Sequence, residues 1–518
     1  MLMFHEMLWS KVYSESDLSP HTMNGVTPNI LQNAAARYDC AVFGEKCIFM
    51  KKCYTNVRLI DGINFFGESK NVVVENDIIT DFSDFVPPNT DVIDGGNKYL
   101  SPSWIDVHGH SDLSVFELDD GGSRRSGGFG IEIAGNCGLS PFPVTDMNRE
   151  NLAKVYENYH ISLTWQSYGD YCAELRKKAH GFELFSFCGH NSLHAAVMGY
   201  DEKNPTADDF KKMTSLLSET LEQGALGLSL GLLYSPGRFA TEKELETLFK
   251  CCAEHEKIVS AHLRSEGDFL LESITEMFEL CRRSGLHDFH ISHLKTAKAE
   301  NFYKIDALFA LLDRAEKDYG VNVTFDRYPF TQSMSQLSII GPEKYLSVPD
   351  RIITERLKNP VEKADFFKYL ADLPPGKWTK TILAKCRQEK FRKFCGMTFA
   401  DIGTMIGASP AEIALEMLAE DSVGTCAAFD TLSEENMLRI ICDERCFCGS
   451  DETAVKVDGQ WLLPRNQFSG FRTIELQLEN NISLGDIICK LTHRAAKRFK
   501  LPVTSELRIG SRADFTIF

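Results

Sequence analysis

Two histidines one residue apart, His108 and His110, close the largely apolar run Ser103-Trp104-Ile105-Asp106-Val107, and Asp112 follows two residues later. On a β-strand, residues i and i+2 face the same side. The two imidazoles can therefore form half of a metal site. Residues of ligand type recur in the same setting. Cys137 follows the run Ile131-Glu132-Ile133-Ala134, His262 ends Ile258-Val259-Ser260-Ala261, and His293 follows Phe289-His290-Ile291-Ser292. Asp451 comes after Arg445-Cys446-Phe447-Cys448-Gly449-Ser450. Imidazole and thiolate are good zinc ligands, and zinc would deprotonate Cys137, which could then bridge two ions. A carboxylate beside a metal-activated water can serve as general base.

The elements ahead of these residues must bring them to one level. Short apolar runs ending at or near each candidate read as strands, joined by 184–190, 225–231 and 321–326. Helical patterns over 208–223, 241–255 and 270–284 separate them, the second opening on Thr241-Glu242-Lys243-Glu244, a capping-box pattern. One strand alternating with one helix predicts a parallel sheet. About eight such units fit a (β/α)8 barrel, whose strand C-termini share one face and carry its active site. The stretch 335–397, helical and charged, reads as an insertion. Glycine-rich 224–231 lacks the order of a phosphate loop and reads as a strand packed where side chains do not fit.

Upstream, 57–62 and 72–82 have β-sheet chemistry, with an Asn76-Asp77 turn. The closing run 507–518 reads as one more strand paired with this sheet. The expected plan is an unassigned extension over 1–51, a small β-sandwich domain from 52–102 with 500–518, and the α/β barrel over 103–499. The 518 residues carry a net charge of −17, which argues against a nucleic-acid partner. No apolar stretch is long enough for a membrane span, and no signal peptide opens the chain. The 16 cysteines form no CxxC pairs and read as reduced thiols, which points to the cytoplasm. Nothing in the sequence speaks to oligomeric state.

The motifs then become specific. Ile105 to His110, Gly135-Asn136-Cys137-Gly138-Leu139-Ser140, Gly189-His190-Asn191-Ser192-Leu193, and His262-Leu263-Arg264-Ser265-Glu266-Gly267-Asp268 occur in that order. Ile291-Ser292-His293-Leu294-Lys295, Asp326-Arg327-Tyr328-Pro329-Phe330, Gly449-Ser450-Asp451 and Pro464-Arg465 follow. This series resembles the N-acyl-D-amino-acid deacylases, or D-aminoacylases, of the amidohydrolase superfamily. The resemblance implies a TIM-like metal-dependent hydrolase barrel that hydrolyses a linear amide on a small N-acyl amino acid. It implies a tight zinc on Cys137, His262 and His293, and a second, weaker or vacant site on His108, His110, Cys137 and Asp451. It also implies Asp451 as acid/base, and Lys295, Tyr328 and Arg465 as binders of the substrate carboxylate. The chain departs from the pattern at Leu294 and Leu463, where relatives carry His, and at His194, where they carry Arg. Selectivity for D over L substrates rests on the resemblance alone. Alternatives are a cyclic-amide hydrolase, a dipeptidase, or a non-catalytic binding protein of the same fold. His190 reads either as a support for the metal ligands or as a packed core residue.

Overall fold

The computed structural model describes residues 51–157, 159–200, 203–346, 348, 350–459 and 461–518. The expected N-terminal extension therefore lies outside the described residues except at Lys51. The described chain opens with β1 (Lys51–Ile60), β2 (Phe66–Ser69), β3 (Asn71–Glu75), β4 (Ile78–Ser83) and β5 (Asp91–Pro102). Asn76 and Asp77 hold φ of 52° and 62°. Positive φ at both central residues is what a two-residue hairpin turn demands, and it joins β3 to β4.

The central strands are β6 (Trp104–Asp106), β7 (Phe129–Ala134), β8 (Glu183–Ser186), β9 (Cys188–Gly189), β10 (Gly227–Gly231), β11 (Ile258–His262), β12 (Asp288–Ile291) and β13 (Asn322–Arg327). Three more, β14 (Gln332–Gln336), β15 (Thr381–Cys386) and β16 (Thr425–Asp430), form a separate sheet. β17 (Cys446–Cys448) returns to the central strands, and β18 (Phe515–Ile517) ends the chain. β18 pairs with β5, giving the order β18-β5-β1-β3-β4 with β2 beside β1. Both ends of the described residues thus build one sheet, over a core of Tyr54, Val57, Leu59, Val72, Val74, Leu100 and Leu507.

The central strands are parallel, in the orders β6-β7-β8 and β9-β10-β11-β12-β13-β17. Only Phe187 separates β8 from β9, and its N–H donates to Ala134 O at 3.0 Å. The outermost strands also meet, since Val107 N–H donates to Cys448 O at 3.1 Å. β10 and β11 are buried at every residue, as expected for parallel strands covered on both faces. Glycine in β10 has a steric reason, because a Cβ on Gly231 would run into the carbonyl of Cys137. The helices Ala207–Glu222, Glu242–Glu254 and Leu270–Ser284 follow the expected periodicity. Their apolar faces join one large core with Leu228, Leu230, Val259 and Ile291. The third stops at Gly285, whose φ of 71° is a left-handed helix end.

The strands are shorter than the sequence suggests. β7 ends at Ala134 and β12 at Ile291, so Cys137 and His293 stand in the loops just beyond. The capping box is only half made. Thr241 accepts the Glu244 N–H at 3.2 Å, but the Glu244 carboxylate turns inward instead of back to the helix end. Among the described residues, 333–430 and 461–463 form a compact unit of their own, reaching further along the chain than the expected insertion. It carries the sheet β14-β16-β15 and a core that includes Leu383, Phe399, Ile413, Leu418 and Ala427. All fourteen described cysteines are free. Among the described residues no helix is long and apolar enough to cross a membrane.

Candidate metal centre

All six expected ligands converge. Cys137, His262 and His293 offer atoms within 4.8 Å of one another, as do His108, His110 and Cys137, and again His108, His293 and Asp451. Cys137 Sγ lies 3.4 Å from His293 Nε2 and 3.5 Å from His108 Nε2. Asp451 Oδ1 lies 3.2 Å from His110 Nε2. The side chains of His110 and Asp451 are 25% and 15% exposed and that of His108 not at all, so the cluster opens to solvent at the carboxylate end.

Local backbone geometry explains the convergence. Cys137, His293 and Asp451 take φ of 52°, 36° and 52°. Left-handed backbone is uncommon for residues other than glycine and persists only where its surroundings enforce it. Each of the three lies two or three residues past the end of a buried strand, and its side chain joins the common cluster. Asp451 is held further by its N–H donating to His108 O at 2.7 Å. Gly449 leaves room for this approach, since a Cβ there would sit 2.6 Å from His108 Cβ.

Electrostatics favour a charged ligand set. Burial alone would raise the Cys137 thiol, but His293 and His108 outweigh it and hold Cys137 well below the usual thiol range. Burial would also raise Asp451, yet Arg465 and His110 keep it well below the ordinary carboxylate range. A thiolate and a carboxylate among imidazoles are a donor set suited to zinc. His262 makes the sharpest test of fit. It is 3% exposed, and both of its ring nitrogens lack a hydrogen-bond partner. Such a ring is costly to bury unless something else takes its lone pair.

Two carboxylates orient the rings. Asp326 Oδ1 lies 3.0 Å from His108 Nδ1, and Glu266 Oε1 lies 2.9 Å from His293 Nδ1. Each turns the opposite nitrogen toward the cluster, the usual support for a metal-binding imidazole. Glu266 also accepts from Lys295 Nζ at 2.6 Å. Sequence reasoning placed both acids inside motifs without a role. The available signals were position, Glu266 four residues after His262 and Asp326 near the end of β13. Tyr234, its ring 4.9 Å from that of His262, went unnoticed.

Lys295, Tyr328 and Arg465 lie along one side. The Tyr328 ring has Arg465 at 4.3 Å and Lys295 at 5.9 Å from its centroid. Burial would raise the Tyr328 hydroxyl, but Lys295, Arg327 and Arg465 together lower it. Both cations already have acidic partners. Arg465 donates to Asp451 Oδ2 at 3.1 Å and to Glu452 Oε1 at 3.0 Å. His190 touches none of the six; it contacts Glu244 at 2.8 Å.

No protein-family model matches the chain. N-acyl-D-glutamate deacylase of Alcaligenes xylosoxydans xylosoxydans is 26% identical over 465 residues, covering 89% of this chain and 85% of that protein. This chain is a homologue of the N-acyl-D-amino-acid deacylases. The D-aminoacylase of the same organism is 27% identical over 280 residues, 54% of this chain and 57% of its own. Among solved structures, zinc- and phosphonate-bound N-acyl-D-glutamate deacylase from Bordetella bronchiseptica superposes with a TM-score of 0.73. It is 24% identical and covers 91% of this chain and 90% of its own. A D-aminoacylase described as having a binuclear metal centre, with one-metal activation and second-metal attenuation, gives 0.70 at 23% identity, covering 90% and 89%. The deacylases therefore share this chain's fold.

Proposed function

We propose that this protein is a zinc-dependent hydrolase of the linear amide bond of N-acyl amino acids, with N-acyl-D-amino acids as its substrates. The observation that carries this reading is the convergence of six ligand-type side chains, among them His262, a buried imidazole whose ring nitrogens have no hydrogen-bond partner. The homologues named as deacylases act on this class of molecule and support it. In the same reading the central strands close as a (β/α)8 barrel, with the site at their C-terminal ends. The free cysteines support a cytoplasmic location.

Cys137, His262 and His293 would hold the tight zinc, and His108, His110, Cys137 and Asp451 the weaker one. A bound zinc would supply Lewis acidity toward the acyl carbonyl and lower the pKa of water to about 7. Asp451, held ionised by Arg465, takes the proton of the attacking water on Oδ1 and returns it to the leaving nitrogen. Arg465 holds Asp451 by donating to its carboxylate at Oδ2 and to its backbone oxygen. Lys295, Tyr328 and Arg465 attract the substrate's α-carboxylate to the wall they form, and orient the amide.

The test is hydrolysis of N-acetyl-D- and N-acetyl-L-amino acids and of hydantoins by zinc-loaded protein. Release of free D-amino acid is expected. Turnover of hydantoins alone would move the assignment to cyclic amides. A zinc-bound protein inert toward every substrate would leave a binding protein.

A further inference from the structure

His190 and His194 stand four residues apart on the helix His190–Met198. That spacing puts both rings on one helix face. Glu244 reaches them from the first turn of the helix Glu242–Glu254. Its Oε1 lies 2.8 Å from His190 Nε2 and 2.8 Å from His194 Nδ1. The three residues are 0%, 1% and 0% exposed. They share no residue with the centre described above, and their ligand atoms lie within 4.8 Å of one another.

Hydrogen bonding leaves this cluster unfinished. His190 Nδ1, His194 Nε2 and Glu244 Oε2 are all buried without a partner. Among the described residues, the ion-pair partners of Glu244 are the two imidazoles and no Lys or Arg. A divalent cation drawn to this carboxylate can engage the unpartnered Oε2. Two histidines at i and i+4 with a carboxylate from a second helix are ligand types that zinc accepts.

We propose that His190, His194 and Glu244 form a separate zinc site, away from the first centre, that ties the helix His190–Met198 to the helix Glu242–Glu254. The clamp bears on the first centre, because Ser192 N–H on the clamped helix donates to Gly138 O, next to Cys137, at 3.2 Å. The site does not depend on the deacylase reading.

Crystals of wild-type protein grown with zinc, measured on both sides of the zinc absorption edge, test it without any variant. An anomalous peak among His190, His194 and Glu244 is expected. Zinc density at Cys137, His262 and His293 with none here would overturn it. Metal analysis gives a second readout. The His194→Arg variant, which places a fixed cation beside Glu244, should bind one zinc per chain fewer than wild type, while Cys137→Ala keeps the zinc of this cluster. Equal zinc in wild type and folded His194→Arg would also overturn the site.

Discussion

Asp326 presents Oδ1 3.0 Å from Nδ1 of His108, fixing that ring so that Nε2 faces Cys137 and Asp451. The same oxygen lies 3.0 Å from His290 Nε2, so two rings anchor the carboxylate. Replacing Asp326 by Ala frees His108 to rotate. Affinity for the second metal should fall about 10–100-fold while the first zinc stays bound. Stepwise metal titration of zinc-depleted protein reads both constants, and an unchanged second constant would remove Asp326 from this role.

Asp451→Asn keeps the shape of the side chain and removes its basicity. Turnover should drop by roughly 10²–10⁴ with the tight zinc retained. Zinc retained with turnover near wild type would sink the role of Asp451.

Cys137→Ala removes the ligand shared by both groups and should release the tight zinc, with activity lost at ordinary zinc concentrations. His108→Ala should weaken only the second metal. Metal content after dialysis distinguishes the two. The assignment fails if His108→Ala loses more zinc than Cys137→Ala.

Arg124 serves two buried carboxylates, Asp106 at 2.6 Å and Glu132 at 3.2 Å. Burial, opposed by Arg124 and reinforced by Asp106, pushes Glu132 up to about 7. An unfolded Glu titrates near 4.3, so between these values the folded chain binds the extra proton. Stability from this group is complete below about pH 4 and is lost as pH rises through about 7. Glu132→Gln should flatten that fall, on the order of 2–3 kcal/mol. Urea unfolding midpoints at pH 5 and pH 8 should converge for the variant and separate for wild type. Parallel profiles would show that Glu132 does not carry the proton.

Much of the site was legible because ligand types follow short buried runs, a pattern that survives without knowing which strand neighbours which. The strand at 258–262 and the helix at 270–284 coincide with the expected limits for the same reason: periodicity and burial agree there. What was illegible is partner choice. No spacing reveals that Lys295 lies against Glu266, or that Arg465 is shared by Asp451 and Glu452. Those pairings depend on residues brought together by the fold. Thr241 and Glu244 show the limit most clearly. The local pattern describes a helix cap, and the tertiary environment takes the carboxylate for two histidines instead.

The left-handed backbone at Cys137, His293 and Asp451 links metal affinity to the stability of the whole fold. Each such conformation costs on the order of 1–3 kcal/mol and is sustained by the packing around it. A substitution far from the centre that loosens this packing would let the bends relax and the ligands drift apart. Distant destabilising mutations should therefore surface as weakened zinc retention before they surface as unfolding.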